Sequence, residues 1–180
     1  MKKNRVICVN TIDFVTFAVA MQSINLLNIN LAQAAEVAKR LDFTLADRFF
    51  ADLEQEEISG GEICLEVNVK RPIGNVYKVG IKVKGYVVVA CDRCLEPLRI
   101  DVDTEDTVKI KDAEPEENDA VDMLYIEAND QCYDLSWQVY EIIETSLPMQ
   151  RVHLDGDCNP DMMSYIMSDA TNSEEDEDDD

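Results

Sequence analysis

Basic charge is what this chain has least of. Its 16 Lys and Arg stand against 38 Asp and Glu in 180 residues, a formal charge of −22. Unassisted binding of nucleic acid needs a basic footprint, and the composition provides none. Seven of the charges sit in the terminal run Glu174 to Asp180, and the rest of the chain still carries −15. Such a surface repels phosphate and draws basic partners, of which ribosomal proteins are the commonest in a cell.

Histidine is almost missing, with His153 alone. A Ser-His or Cys-His mechanism would have to use it. G-x-S-x-G, H-E-x-x-H and a phosphate-binding glycine loop are absent from the sequence. Carboxylates are too numerous for one acid–base pair to stand out. There is also no apolar run long enough to span a bilayer. The start, MKKNRVICVNTIDFVTFAVAMQ, imitates a signal peptide, with Ala18-Val19-Ala20 as a mock cleavage site. Asn10, Thr11, Asp13 and Thr16 break up its apolar stretch. Residues 1–20 are read as an extension outside the domain, with Met21 as an alternative start, and the protein as cytoplasmic with reduced thiols.

What is present begins with 46% apolar residues, enough for a core. One domain is expected over residues 21–168, followed by a disordered acidic tail over 169–180. An edge strand is expected at Ile24 to Ile29. FTLADRFFADLEQEE predicts a short helix, with Asp47 as N-cap and Phe49, Phe50 and Leu53 on its apolar side. Gly60-Gly61 ends that pattern. Ile63, Leu65, Val67 and Val69 then alternate with polar residues, PIGN turns the chain, and Val79, Ile81 and Val83 alternate with lysines. These are the marks of an antiparallel hairpin. YVVVAC predicts a further strand, and Leu98, Ile100 and Val102 another. The Cys91-Asp92-Arg93-Cys94 motif thus falls in a knuckle between strands. After a polar loop over 111–122, MLYIE predicts a short strand. Asp134 to Ser146 predicts the main helix, capped by Asp134, with Leu135, Val139, Ile142 and Ile143 on one face and Trp137 and Tyr140 packed beside it. Asn159-Pro160 predicts the start of a last short helix, Asp161 to Met167. The fold class is α+β: an antiparallel sheet, barrel-like in one form, with one main packed helix and a CxxC knuckle.

The cysteines are Cys8, Cys64, Cys91, Cys94, Cys132 and Cys158. Cys91 and Cys94 on a tight turn, with His153 and Cys158 on a later loop, make a four-donor set suited to a structural Zn²⁺. Cys132 is a rival fourth ligand. Cys8 and Cys64 read as small buried apolar residues. A redox pair requires a helix N-terminus after the first cysteine, and a strand follows here. Lys70, Arg71, Lys78, Lys82 and Lys84 form one locally basic stripe. A solvated strand face is the favoured account of it, and direct RNA contact the other.

FTLADRFFADLEQEEISGGEICLEVNV, GYVVVACDRCLEPLRIDV and DLSWQVYEIIETSLPMQRVHLDGDCNPDM, in that order over residues 43 to 165, resemble the YceD family, the large ribosomal RNA subunit accumulation proteins, in its Bacteroides-type branch. The resemblance marks Cys91, Cys94 and, by place, Cys158. Many members carry a second CxxC where this chain has His153 and Cys158. It implies a cytoplasmic, non-enzymatic factor needed for accumulation of large-subunit ribosomal RNA. The family is often encoded beside a small zinc-ribbon protein of the large subunit. A basic ribosomal protein or a large-subunit precursor particle is the implied partner. The alternative is a zinc- or thiol-dependent regulatory binding module, with a thiol oxidoreductase behind it.

Overall fold

Period-two apolar alternation builds the centre of the fold. The computed structural model describes residues 27–37, 40–117, 120–126 and 132–172. Expectations for residues 1–20, for the front of the first strand and for the acidic run lie outside these. The two longest strands are β3 (Ile58–Ile73) and β4 (Val76–Ala90). Ile63, Leu65, Val67 and Val69 of β3 and Val79, Ile81 and Val83 of β4 are buried, while Asn68, Lys78, Lys82 and Lys84 face solvent. Ile73 pairs with Val76 across Gly74-Asn75, so the PIGN signal does mark a hairpin.

YVVVAC is not a strand of its own. It continues β4 through Gly85. Gly61 and Gly85 take φ of +151 and +156 where β3 and β4 press together. A Cβ on Gly85 would collide with the carbonyl of Glu62, and one on Gly61 with that of Tyr86. Only glycine passes this point, and because it does, one hairpin reaches from the Gly74 turn to the knuckle.

β5 (Pro97–Lys111) pairs antiparallel along the length of β4. β2 (Leu41–Leu45) joins β3, and β6 (Met123–Tyr125) joins β5, in the order β2-β3-β4-β5-β6. β6 runs parallel to β5, so the sheet is mixed where a purely antiparallel one was expected. Nor does it close into a barrel: β2 and β6 remain its edges among the described residues. β6 pairs only with Lys109 to Lys111, too short a ladder to carry the sheet round. A separate pair, β1 (Asn28–Ile29) with β7 (Tyr133–Asp134), fastens the first described residues to the segment before the main helix.

Helices cover one sheet face, and there are more of them than the periodicity predicts. α1 (Leu31–Val37) was not expected; Asn30 Oδ1 accepts the Gln33 N–H at 2.9 Å, and Leu31 and Ala35 are buried. α2 (Asp47–Asp52) follows β2 and buries Phe49 and Phe50, edge to face at 5.3 Å. Asp47 does not cap it. Its carboxylate accepts the Gly61 N–H at 2.8 Å and ties the helix to β3 instead. α3 (Ser136–Ser146) packs on β5 and β4 through the expected face, with Leu135, Val139 and Ile143 fully buried. The Asp134 carboxylate does receive the Ser136 N–H, at 2.9 Å. Tyr140 is buried, but Trp137 remains 51% exposed, edge to face with Tyr140, because it points off the buried face. These residues and the inner sheet face form one core.

α4 (Pro160–Asn172) starts as predicted, with Asn159 Oδ1 accepting the Asp161 N–H at 3.0 Å. It then runs beyond Met167 into residues expected as tail, since neither Gly nor Pro interrupts it. Among the described residues no helix is long and apolar enough to cross a membrane.

The glycine crossing gives a direct test. Gly85→Ala should destabilise the protein by about 1–3 kcal/mol, through strain and the clash with Glu62. Gly80→Ala, whose new methyl meets nothing closer than 3.8 Å, should change stability by less than about 0.5 kcal/mol. Urea unfolding midpoints of the two variants check this.

Candidate metal centre

Where β4 ends, the chain turns through Cys91 to Glu96 before β5 begins. The Cys91 N–H donates to the Glu96 carbonyl at 2.9 Å, and the Leu95 N–H to the Cys91 carbonyl at 3.0 Å. Leu95 takes φ +61, the left-handed conformation that lets so few residues reverse the chain. The expected knuckle forms, with Cys91 and Cys94 both buried at its base.

The loop between α3 and α4 brings the other two donors to it. Cys94 Sγ lies 3.4 Å from His153 Nδ1, Cys158 Sγ 4.0 Å from the same nitrogen, and Cys91 Sγ 4.0 Å from Cys158 Sγ. All four donor atoms lie within 4.8 Å of one another, close enough to hold a metal ion. His153 Nε2 stands 3.2 Å from the Pro97 carbonyl. An N–H there donates to that oxygen and leaves the Nδ1 lone pair facing the sulfurs, the tautomer a metal-binding histidine needs.

Outer contacts fix this arrangement, and sequence reasoning missed them. Asp92 and Arg151 clasp each other by backbone: the Asp92 N–H donates to the Arg151 carbonyl at 2.7 Å, and the Arg151 N–H to the Asp92 carboxylate at 2.7 Å. The Arg151 guanidinium reaches Glu57 at 2.9 Å, ahead of β3. Asn159 Nδ2 donates to the Glu96 carboxylate at 3.1 Å. A charged residue inside the CxxC and another two places before the histidine were the only available signal.

The electrostatics of the metal-free set follow from these contacts. Burial pushes the Cys91 thiol up, but N–H groups of Cys94, Arg93 and His153 outweigh it and bring the thiol down to about 6. The Asn159 N–H leads the contacts that lower Cys94. Cys158 is pushed up to about 11, first by burial and then by the two neighbouring sulfurs. Burial works against protonation of His153, but hydrogen bonds to Cys91 and Cys94 outweigh it and raise that group.

The remaining expectations divide. Cys132 is disulfide-bonded and stands outside the set, so it is not the rival ligand, and the expectation that every thiol is free fails there. Cys64 is exposed, not buried, because it takes the outward position in β3. Cys8 lies outside the described residues. The lysine stripe is interleaved with acids: Lys82 pairs in register with Glu66 and Glu105, and Lys84 meets Asp103 at 3.1 Å. Lys70, Lys78 and Lys109 do share a row near the Gly74 turn, with Lys109 bound to Asp122 at 2.8 Å. An open groove of about 590 Å³ runs beside the cluster, between the start of β5 and the loop after α3, with His153 in its wall.

Residues 79–180 match the family described as Large ribosomal RNA subunit accumulation protein YceD. The chain belongs to the YceD family. The match covers all four donors and extends through α4 to the acidic end, while β2, α2 and β3 lie before it. Comparisons with the curated proteins and with the solved structures give no match.

Metal uptake by this YceD chain should depend on pH. With its thiol near 11, Cys158 carries a proton at neutrality, and a bound metal must displace it. Affinity for Zn²⁺ should therefore climb as pH rises from 6 to 8, about tenfold per unit for each proton released. Competition titrations against a chromophoric chelator check this, and a flat profile would contradict it. Asp92→Asn, which loosens the clasp without touching a donor, should weaken metal binding about 10–100-fold.

Proposed function

We propose that this YceD-family chain is a non-enzymatic, cytoplasmic factor that supports accumulation of large-subunit ribosomal RNA. It acts by holding a basic ribosomal protein or a large-subunit precursor particle. A structural Zn²⁺ bound by Cys91, Cys94, His153 and Cys158 fastens the knuckle to the loop after α3. The four-donor cluster carries this reading. Thiolates and an imidazole around zinc, at about 2.3 and 2.0–2.1 Å from the metal, stand about 3.5–3.8 Å apart in a tetrahedron. Three of the six separations, 3.4, 4.0 and 4.0 Å, lie near that range, and all six lie within 4.8 Å. Three sulfurs and one nitrogen suit soft, tetrahedral Zn²⁺ far better than Mg²⁺ or Ca²⁺, which favour oxygen. All positions are taken by protein, so the metal supplies rigidity and offers no open place for a substrate.

The partner class rests on charge. With −22 overall and the β4 lysines set among carboxylates, the surface favours a basic protein over a bare phosphate backbone.

A thiol oxidoreductase is the second reading, and the Cys91 thiol held at about 6 favours it. Exposure weighs against it: Cys91 is 0% and Cys94 3% exposed, whereas an attacking sulfur must be reached by its target. The N–H groups that lower these thiols serve a metal site equally well.

The test is the ratio of large- to small-subunit ribosomal RNA in a deletion strain. The ratio should fall, and be restored by the natural chain but not by Cys91→Ser/Cys94→Ser. An unchanged ratio would move the function to a zinc- or thiol-dependent regulatory module. Rapid alkylation of Cys91 in the zinc-loaded protein by iodoacetamide would favour the redox reading.

A further inference from the structure

The first part of β5 has a side to spare. Pro97 to Lys111 pair with β4, but only Lys109 to Lys111 pair with β6, so among the described residues no strand lies beside Pro97 to Val108 on that side. The ladder tells which backbone groups face it. The Cys91 N–H donates to the Glu96 carbonyl across the knuckle, whereas the Pro97 carbonyl turns away from β4 to His153 Nε2. Direction alternates residue by residue in an antiparallel pair, so Leu98 and Ile100 bond β4, while Arg99 and Asp101 aim N–H and C=O outward. The groove of about 590 Å³ is open space beside these residues. Leu98 and Ile100 are half-buried in its β5 wall, and Leu154, 79% exposed, stands in the wall formed by the loop after α3. A sheet edge, an apolar lining and a second wall are the parts that strand addition uses.

Charge selects the occupant. Both arginines of the groove are engaged within the chain, Arg99 over the Tyr86 ring at 3.6 Å and Arg151 with Glu57 at 2.9 Å. Asp101 and Asp157 stand exposed in its walls, and Asp103, Glu105 and Asp106 are exposed farther along β5. A second copy would lay this acidic strand against itself, and like charges opposed across a ladder repel. Nucleic acid would be repelled as well, and has no peptide groups to add to the edge. We infer that the open edge of β5 at Arg99 and Asp101 takes an extended, Lys- and Arg-rich segment of another protein as an added strand, with apolar side chains against Leu98, Ile100 and Leu154. This deepens the reading above and rests on it. The outward peptide groups supply the ladder, the groove supplies apolar contact, and the carboxylates select basic partners. His153 already takes the Pro97 carbonyl, so the added ladder begins at Arg99.

The full chain, loaded with Zn²⁺, is titrated by fluorescence anisotropy against a labelled eight-residue peptide alternating lysine and valine. Asp101→Pro removes an outward N–H and leaves the bonds to β4, so it should bind at least about tenfold more weakly, and more weakly than Asp101→Asn, which keeps the N–H. Leu154→Ser, at an exposed position, should also weaken binding, as should glutamate for lysine in the peptide. Peptides N-methylated at every lysine or at every valine should differ at least about tenfold, because only one set faces β5. The variants should keep the Co²⁺ spectrum and urea midpoint of the natural chain, which shows that the fold is intact. Equal binding by Asp101→Pro and Leu154→Ser overturns the inference, as does equal binding of the two methylated peptides. A dimer of the natural chain abolished by Asp101→Pro would overturn it in favour of a second copy. In the deletion strain Asp101→Pro should fail to restore the ribosomal RNA ratio. Full restoration sinks the docking edge and leaves the ribosomal role standing, whereas a deletion without effect on the ratio sinks that role itself, and the peptide titrations then decide the edge alone.

Discussion

Cys94 and His153 are 59 residues apart in the chain, and their side chains meet at 3.4 Å. Much of the rest depends on that meeting. It joins the turn at the end of the long hairpin to the loop that leaves α3, and so brings two otherwise separate extremities together. Core packing alone would not do this, because both segments lie at the rim of the sheet, away from the apolar interior. Hydrogen bonds do the local work. The Asp92–Arg151 clasp aligns the two backbones, and the Pro97 carbonyl holds the imidazole by its far nitrogen. The sulfurs are then gathered within reach of one another, where burial first and the neighbouring sulfurs second push Cys158 upward, while backbone N–H groups draw Cys91 and Cys94 down. A cation placed among them opposes that push.

The same geometry divides the molecule into a support and a presenting end. β3, β4 and β5 with α1, α2 and α3 supply most of the buried apolar residues. The knuckle and the loop after α3 contribute little to that core, yet they carry the four clustered donors. Function placed at the edge of a rigid scaffold is the usual arrangement for binding proteins. The glycines at 61 and 85 matter here because they let a single hairpin extend far enough to put the knuckle at that edge.

Alternation made the sheet legible. Ile63 to Val69 and Val79 to Val83 could only face inward if they were strands, and the turn chemistry between them left one pairing. The face of α3 was legible for the same reason. α1 was missed although Asn30 offered a cap, since its seven residues carry too little periodicity to mark a helix. Asp47 misled because a carboxylate before a helix is the common capping signal, and only the fold revealed the Gly61 N–H as its partner. The parallel placement of β6 was invisible, since three residues contain no information about direction.

The four residues that the fold gathers within 4.8 Å were readable from type and spacing: two cysteines on a turn, then a histidine and a cysteine on a later loop. Sequence also set the acidity and the apolar alternation, because each is a local property of neighbouring residues. What it could not decide was which distant groups share a point in space. Grouping of Cys158 rather than Cys132 with the other donors, the choice of Nδ1 over Nε2 and the Asp92–Arg151 clasp all depend on how the sheet and α3 pack. Those are sums over many contacts between residues far apart in the chain, and only the folded structure performs them.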